Sequence, residues 1–387
     1  MRQYICSGCG ANYDVADQRF RCDCGEVLEL TTDWIFEKNK IDAGNHTIWR
    51  YRQFLPIESD DAIVSMGEGW TPLVRFSYRD LNLQLKTEYL SPTGSFKDRG
   101  ASVLISLLKE IGISKFVEDS SGNAGAATAA YAARAGLRCE IFTPDYASGG
   151  KLEQIRAYGA ILHRIRGTRQ ETARAVMKAA RTEYYASHNW NPFFRQGLKT
   201  IAYEIAEQLN WQTPDAVITP LGYGGLFLSM YRGFRELLDQ GVIDRMPKML
   251  GVQPENCCPL YQAFQQGLSE PADYRQTAPT AAEGIAAAQP ILGKQILKAV
   301  SACGGSVTTV SEAEIREGLV FLSRHGFFVE PTSAVVLKGI DHFLRQRILE
   351  KGQRVVVILT GNGLKAVKEI SEILTGRKES TGKQNPI

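Results

Sequence analysis

The sequence predicts an α/β protein built on open parallel sheets, with a small cysteine-bearing appendage at its N-terminus. Three observations carry that expectation. From Gly67 onward, short β-type runs alternate with helical patterns. Glycine-bearing loops follow three of those runs: "SSGNAG" at 120–125, "GYGG" at 222–225 and "TGNG" at 360–363. Finally, "CSGC" and "CDC" crowd Cys6, Cys9, Cys22 and Cys24 into the first 24 residues.

Composition narrows the class. A chain of 387 residues with 44% hydrophobic and 22% charged residues is ordinary for a globular protein and long enough for two domains. A net charge of +3 over this length offers no basic footprint for nucleic acid or for a membrane surface. No apolar run reaches membrane-spanning length and no signal-peptide pattern follows Met1, so a cytoplasmic protein is expected. The other cysteines, Cys139, Cys257, Cys258 and Cys303, are scattered, which argues against a disulfide scaffold.

In chain order, Cys6/Cys9 and Cys22/Cys24 form two pairs, each followed by a glycine, with twelve residues between them. Four thiolates brought together in a short ribbon suit a tetrahedral structural zinc, although the second pair is one residue tighter than the usual spacing. Residues 31–66 are rich in tryptophan and charge and are expected to wrap around the main body. In "SPTGSFKDRG", Thr93 or Ser95 is placed to cap the helix "ASVLISLLKEIG", which puts Lys97 in its first turn. A cation there opposes the helix dipole, so an anionic ligand or an uncharged lysine is implied. Asp98 and Arg99 read as an ion pair holding that helix. "KFVED", "RCEIFTP", "ILHRI", "DAVITPL" and "RVVVILT" read as strands, and "RQETARAVMKAARTEY" as one long helix. Ligands of such sheets sit outside the carboxyl ends of strands, which makes the three glycine loops candidates. Residues 376–387 read as a disordered tail.

Taken together, these pieces resemble the threonine synthase family of pyridoxal-phosphate enzymes, of the tryptophan-synthase-β fold type (fold type II). The resemblance rests on the "CxCG" half of the ribbon, "EGWTPL", "PTGSFKDRG", "SSGN", "NPF…GLKTIAYEI", the glycine loop after "VITP", "EP" at 330–331 and "LTGNGLK". It implies two open parallel-sheet domains with the cofactor between them. The larger would span 31–95 and 190–375 and the smaller 96–189, with a zinc-ribbon-like segment at 1–30. It implies that Lys97 carries the Schiff base with pyridoxal phosphate and, once released, acts as the base. By the same resemblance, Asn123 contacts the cofactor's ring oxygen and Ser120 and Ser121 hold the substrate carboxylate. Gly222, Tyr223, Gly224 and Gly225 cradle the phosphate, and Thr360 meets the pyridine nitrogen. An amino-acid substrate and a homodimer are implied as well.

The chain departs from the family mainly in the subsite expected to grip the substrate phosphate, and also in "TGNGLKA". Ala124 stands where a second hydroxyl is usual, and Asn189, Phe194 and Gln196 replace serine, arginine and glutamate. Tyr223 replaces an asparagine, Asn362 a histidine and Ala366 an aspartate. Asn189, Arg195 and Lys199 are the expected substrate contacts, with His188 nearby, and an arginine restored at 194 is expected to raise phosphohomoserine turnover. Three readings stay open: threonine synthase, a paralogue such as a cysteate-synthase-like enzyme or a serine/threonine ammonia-lyase, and a catalytically silent zinc-ribbon binding protein.

Overall fold

The computed structural model describes residues 2–375, apart from Ser148, Thr168 and the side chain of Arg169. The tail expected over 376–387 lies outside the described residues. The elements follow in chain order: β1 (Gln3–Cys6), β2 (Asn12–Asp14), β3 (Leu28–Thr31), β4 (Leu73–Tyr78), β5 (Leu81–Lys86), α1 (Lys97–Glu110), β6 (Lys115–Glu118), α2 (Asn123–Ala135), β7 (Arg138–Pro144), α3 (Gly150–Ala157), β8 (Ile161–Ile165), α4 (Arg169–Ala179) and β9 (Tyr184–Tyr185). Then come α5 (Pro192–Gln208), β10 (Ala216–Pro220), α6 (Gly225–Asp239), β11 (Lys248–Pro254), α7 (Pro259–Gln265), α8 (Gly293–Ala302), β12 (Ser306–Val310), α9 (Glu312–Arg324), α10 (Pro331–Arg345), β13 (Arg354–Ile358) and α11 (Val367–Thr375).

Three sheets result. The N-terminal strands form an antiparallel ribbon, β2-β1-β3. A six-stranded sheet runs β12-β11-β10-β13-β5-β4, and a four-stranded sheet runs β8-β7-β6-β9. The four-stranded sheet is parallel throughout. The larger one is mixed, because the tight turn at Arg79 and Asp80, both with positive φ, returns β4 antiparallel along β5. That edge strand is a departure from the all-parallel expectation.

Side-chain size decides how the layers meet. α2 presents Ala126, Ala127, Ala129, Ala130 and Ala132, all buried, so helix and sheet approach closely. α5 starts on Pro192, with the Asn191 side chain accepting from the Phe193 amide at 2.9 Å, and is buried along nearly all of its length. Residues 31–66 do more than wrap: Phe36, Tyr51 and Phe54 enter the core of the larger sheet, with Phe36 stacked on Phe54 at 4.2 Å. The expected long helix ends at Ala179. Tyr184 and Tyr185 instead extend beside Phe116 and Val117, because two buried aromatics gain more against β6 than on a helix end.

Four strand ends converge. β5 leads to the Lys97 segment, β6 to "SSGN", β10 to "GYGG" and β13 to Thr360. Backbone bonds stitch two of these loops together: Phe96 N–H donates to Thr360 O at 3.1 Å and Asn362 N–H to Gly94 O at 2.9 Å.

Candidate active site

The convergence surrounds a cleft of about 1500 Å³ lined by Lys97, Ser120, Ser121, Asn123, the 222–225 loop and Thr360. Lys97 is the first residue of α1, but neither expected cap holds that end. Phe96 occupies the cap position, Ser95 Oγ is buried without a partner, and Thr93 gives both its amide and its hydroxyl to the Asp98 carboxylate. Asp98 and Arg99 are not paired with each other either. Arg99 instead turns into the core, to Glu88 and Glu204, each at 2.7 Å.

The Lys97 amine is half-buried and makes no hydrogen bond to the described residues. Its Nζ lies over the rings of Phe96 at 4.9 Å and Phe194 at 5.6 Å. Burial pulls its pKa down to about 8, against the opposing pull of Glu118. The dipole conflict read from the sequence is thereby eased: this lysine gives up its charge readily.

At the start of α2, Asn123 Nδ2 donates to Glu330 Oε2 at 2.7 Å, while Asn123 Oδ1 is buried without a partner. A Cβ on Gly125 would sit 1.9 Å from Ser120 O, so glycine lets the serine loop fold onto the helix end. In the second loop, a Cβ on Gly222 would fall 2.8 Å from Ile285 Cα, and Gly224 has φ +86°. These glycines let the backbone of the loop and the start of α6 come close to a ligand, a cradle suited to a phosphate. Thr360 Oγ1 lies 2.8 Å from Ser333 Oγ, which also accepts the amides of Thr360 and Gly361. The unsatisfied Asn123 oxygen, the glycine cradle and the uncommitted amine fit pyridoxal phosphate.

Two expected substrate contacts are corrected by the structure. Arg195 is buried and donates to the carbonyls of Asn189, Trp190 and Leu28 and to Glu29, so it fastens α5 to the ribbon. Lys199 Nζ pairs with Glu236 at 2.7 Å and lies over Trp34. They sit four residues apart on one helix face, turned from the cleft, while Leu198 on the neighbouring face lines it. Phe194 packs on Gly100 in the core and does not line the cleft. Asn189 and His188 do line it.

Ser333, Lys151, Arg275, Glu118 and the 283–288 segment were missed by sequence reasoning. Lys151 pairs with Glu330 at 2.6 Å, joining α3 to the start of α10 across the cleft. No periodicity marks such residues, since their neighbours are remote in sequence.

In the ribbon, Cys6 and Cys24 Sγ are 3.4 Å apart, Cys9 and Cys22 3.5 Å, and all four sulfurs lie within 4.8 Å of one another. A tetrahedron with metal–sulfur bonds of about 2.3 Å needs sulfurs about 3.8 Å apart, so the set fits zinc.

Comparison with known proteins bears on the cofactor of the cleft. The model of the family "Pyridoxal-phosphate dependent enzyme" matches residues 64–361. Threonine synthase of Methanocaldococcus jannaschii is 36% identical over 373 residues, covering 93% of this chain and 92% of its own. That of Methanosarcina acetivorans is 32% identical over 381 residues, covering 95% and 93%. Among solved structures, serine racemase from Dictyostelium discoideum superposes with a TM-score of 0.63 at 26% identity, covering 76% of this chain and 92% of that one. On this evidence, the chain belongs to the pyridoxal-phosphate dependent enzymes and, within them, to the threonine synthase family.

Proposed function

We propose that the chain is a threonine synthase, converting O-phosphohomoserine and water to threonine and phosphate. The observation that carries the reading is the Lys97 amine, without a hydrogen bond among the described residues and depressed in pKa, where the three glycine loops meet. Identity of 36% to a threonine synthase across 93% of the chain supports it. Pyridoxal phosphate bound there supplies an electron sink for a carbanion next to the amino group. Lys97 Nζ removes the α-hydrogen and returns a proton later, since an amine with pKa near 8 is a competent base near neutrality. Ser120, Ser121 and the amides at the start of α2 hold the substrate carboxylate, which leaves its side chain facing His188 and Asn189. Amides of 222–225 hold the cofactor phosphate. Thr360, steadied by Ser333, offers the ring nitrogen a hydroxyl, which does not enforce a pyridinium and suits elimination and replacement.

One observation favours a second reading. With Arg195 and Lys199 turned away to Glu29 and Glu236, neither of the two cations expected from the sequence grips a phosphate at the side-chain end of the cleft. A serine or threonine ammonia-lyase would need none. Purified protein loaded with cofactor and given O-phosphohomoserine should release phosphate and threonine in equal amounts. Keto acid and ammonia from serine or threonine, with no phosphate release, would select the second reading.

We also propose that Cys6, Cys9, Cys22 and Cys24 hold a structural zinc. Four thiolates leave no open coordination position, so the metal would close the ribbon and take no part in the chemistry.

A further inference from the structure

Glu118 ends β6, directly before Asp119 and Ser120, and is wholly withdrawn from solvent. Its Oε1 lies 2.7 Å from His188 Nδ1, and its Oε2 has no hydrogen-bond partner among the described residues. A buried carboxyl with one oxygen unsatisfied is unfavourable, and packing alone does not account for it. The His188 ring lines the cleft and stands edge-on to Phe194, with centroids 5.9 Å apart. Lys97 Nζ lies over the same Phe194 ring at 5.6 Å. Carboxyl, imidazole and reactive amine therefore share one neighbourhood.

The charges felt by Glu118 oppose each other. Burial pushes its acid well above the usual carboxylate range and Asp119 adds to that, while Lys97 pulls the other way. A protonated Glu118 donates to Nδ1, which places the imidazole hydrogen on Nε2. If the shared proton crosses to Nδ1, carboxylate and imidazolium result, and Nε2 keeps its hydrogen. The pair presents an N–H donor in both arrangements with no change in total charge. What changes is how much positive charge the ring carries.

We propose that Glu118 is a positioning residue of the active site: through His188 it holds an Nε2–H donor against the substrate's leaving group and yields its proton to Nδ1 as that group departs. The bond that breaks joins a side-chain carbon of the substrate to the leaving oxygen, and its electron pair stays on that oxygen; the electrons of the neighbouring carbon–hydrogen bond, whose proton goes to Lys97 Nζ, form a carbon–carbon double bond in its place. The proton moves from Glu118 Oε1 to His188 Nδ1 and returns once the anion has left. The ligand chemistry is a departing oxyanion, here a phosphate, and the interaction strengthens as charge develops. This inference rests on the elimination reading of the same cleft.

The test uses cofactor-loaded protein labelled with 15N-histidine, together with E118Q, H188N and the double variant. In the parent protein the His188 ring is expected to show Nε2 protonated and Nδ1 in a strong hydrogen bond. E118Q keeps the ring in place but has no proton to give. Its imine absorbance and its affinity for inorganic phosphate should therefore stay close to the parent's, while kcat falls at least ~10-fold with KM little changed. H188N should lose as much kcat, and the double variant little more. A His188 ring protonated on Nδ1 with Nε2 bare, or E118Q turning over at the parent rate, overturns the proposal. If the parent protein does not turn over O-phosphohomoserine, the proposed reaction fails, and the histidine spectrum alone decides the pair.

Discussion

Arg99 Nη1 donates to Glu204 Oε2 at 2.7 Å, with both side chains wholly buried, two residues beyond Lys97. Glu88, Lys86 and Thr71 complete the cluster, so the first turn of α1 is pinned from below by charge. Removing one member leaves the others unpaired in a dry interior. E204Q should destabilise the fold by about 3–5 kcal/mol, read from denaturant titration. An unchanged midpoint would show that the cluster relaxes freely.

The same residue predicts an acid limb. Burial would raise the Glu204 acid, but Arg99 and Lys86 outweigh it and hold the pKa at about 2, below its ordinary 4.5. A depressed carboxylate contributes stability that is present above pH 4.5 and lost as pH falls toward 2. Thermal midpoints should therefore fall over that window, and E204Q should fall less steeply there. Parallel curves for the two proteins would count against this assignment.

For Lys97, with its pKa at about 8, capture of added pyridoxal phosphate by cofactor-free protein should speed up as pH rises through 8 and then level off. An ordinary lysine would still be gaining near pH 10. K97A should stay colourless and yield no borohydride-reduced adduct. Colour that persists in K97A would end the cofactor reading.

The glycine cradle gives a graded pair. A Cβ at Gly224 would meet Ile296 Cδ1 at 2.0 Å on a backbone with positive φ, whereas a Cβ at Gly225 finds nothing nearer than 3.9 Å. G224A should cost about 1–3 kcal/mol and weaken cofactor binding at least ~10-fold in equilibrium dialysis. G225A should leave stability nearly unchanged. Equal effects would mean the loop tolerates reshaping.

Position 194 now carries the opposite expectation to the one read from the sequence. Its side chain is in the core against Gly100, so F194R buries an unpaired guanidinium and gains no access to substrate. The variant should lose about 3–5 kcal/mol and gain no phosphohomoserine turnover. A folded F194R with faster turnover would place this side chain at the substrate.

Metal analysis should find one zinc per chain, and chelation or C9S should lower the thermal midpoint without moving the imine band. Protein purified without zinc and fully stable would leave the four thiols as packing residues.

What the sequence determined by itself were features encoded locally. Alternating strand and helix runs, glycine loops at strand ends and the string around Lys97 each state their geometry within a few residues, so α/β architecture and the placement of Lys97 beside those loops were legible. Tertiary structure decided everything that depends on which helix face meets which neighbour. Arg195 and Lys199 looked like substrate contacts because they lie close to the right motif, yet one residue along a helix is a turn of about 100°, enough to move a cation from the cleft to Glu29 or Glu236. The Glu118–His188 contact spans seventy residues and the Arg99–Glu204 contact more than a hundred, and only folding sets the distances that give those side chains their charge.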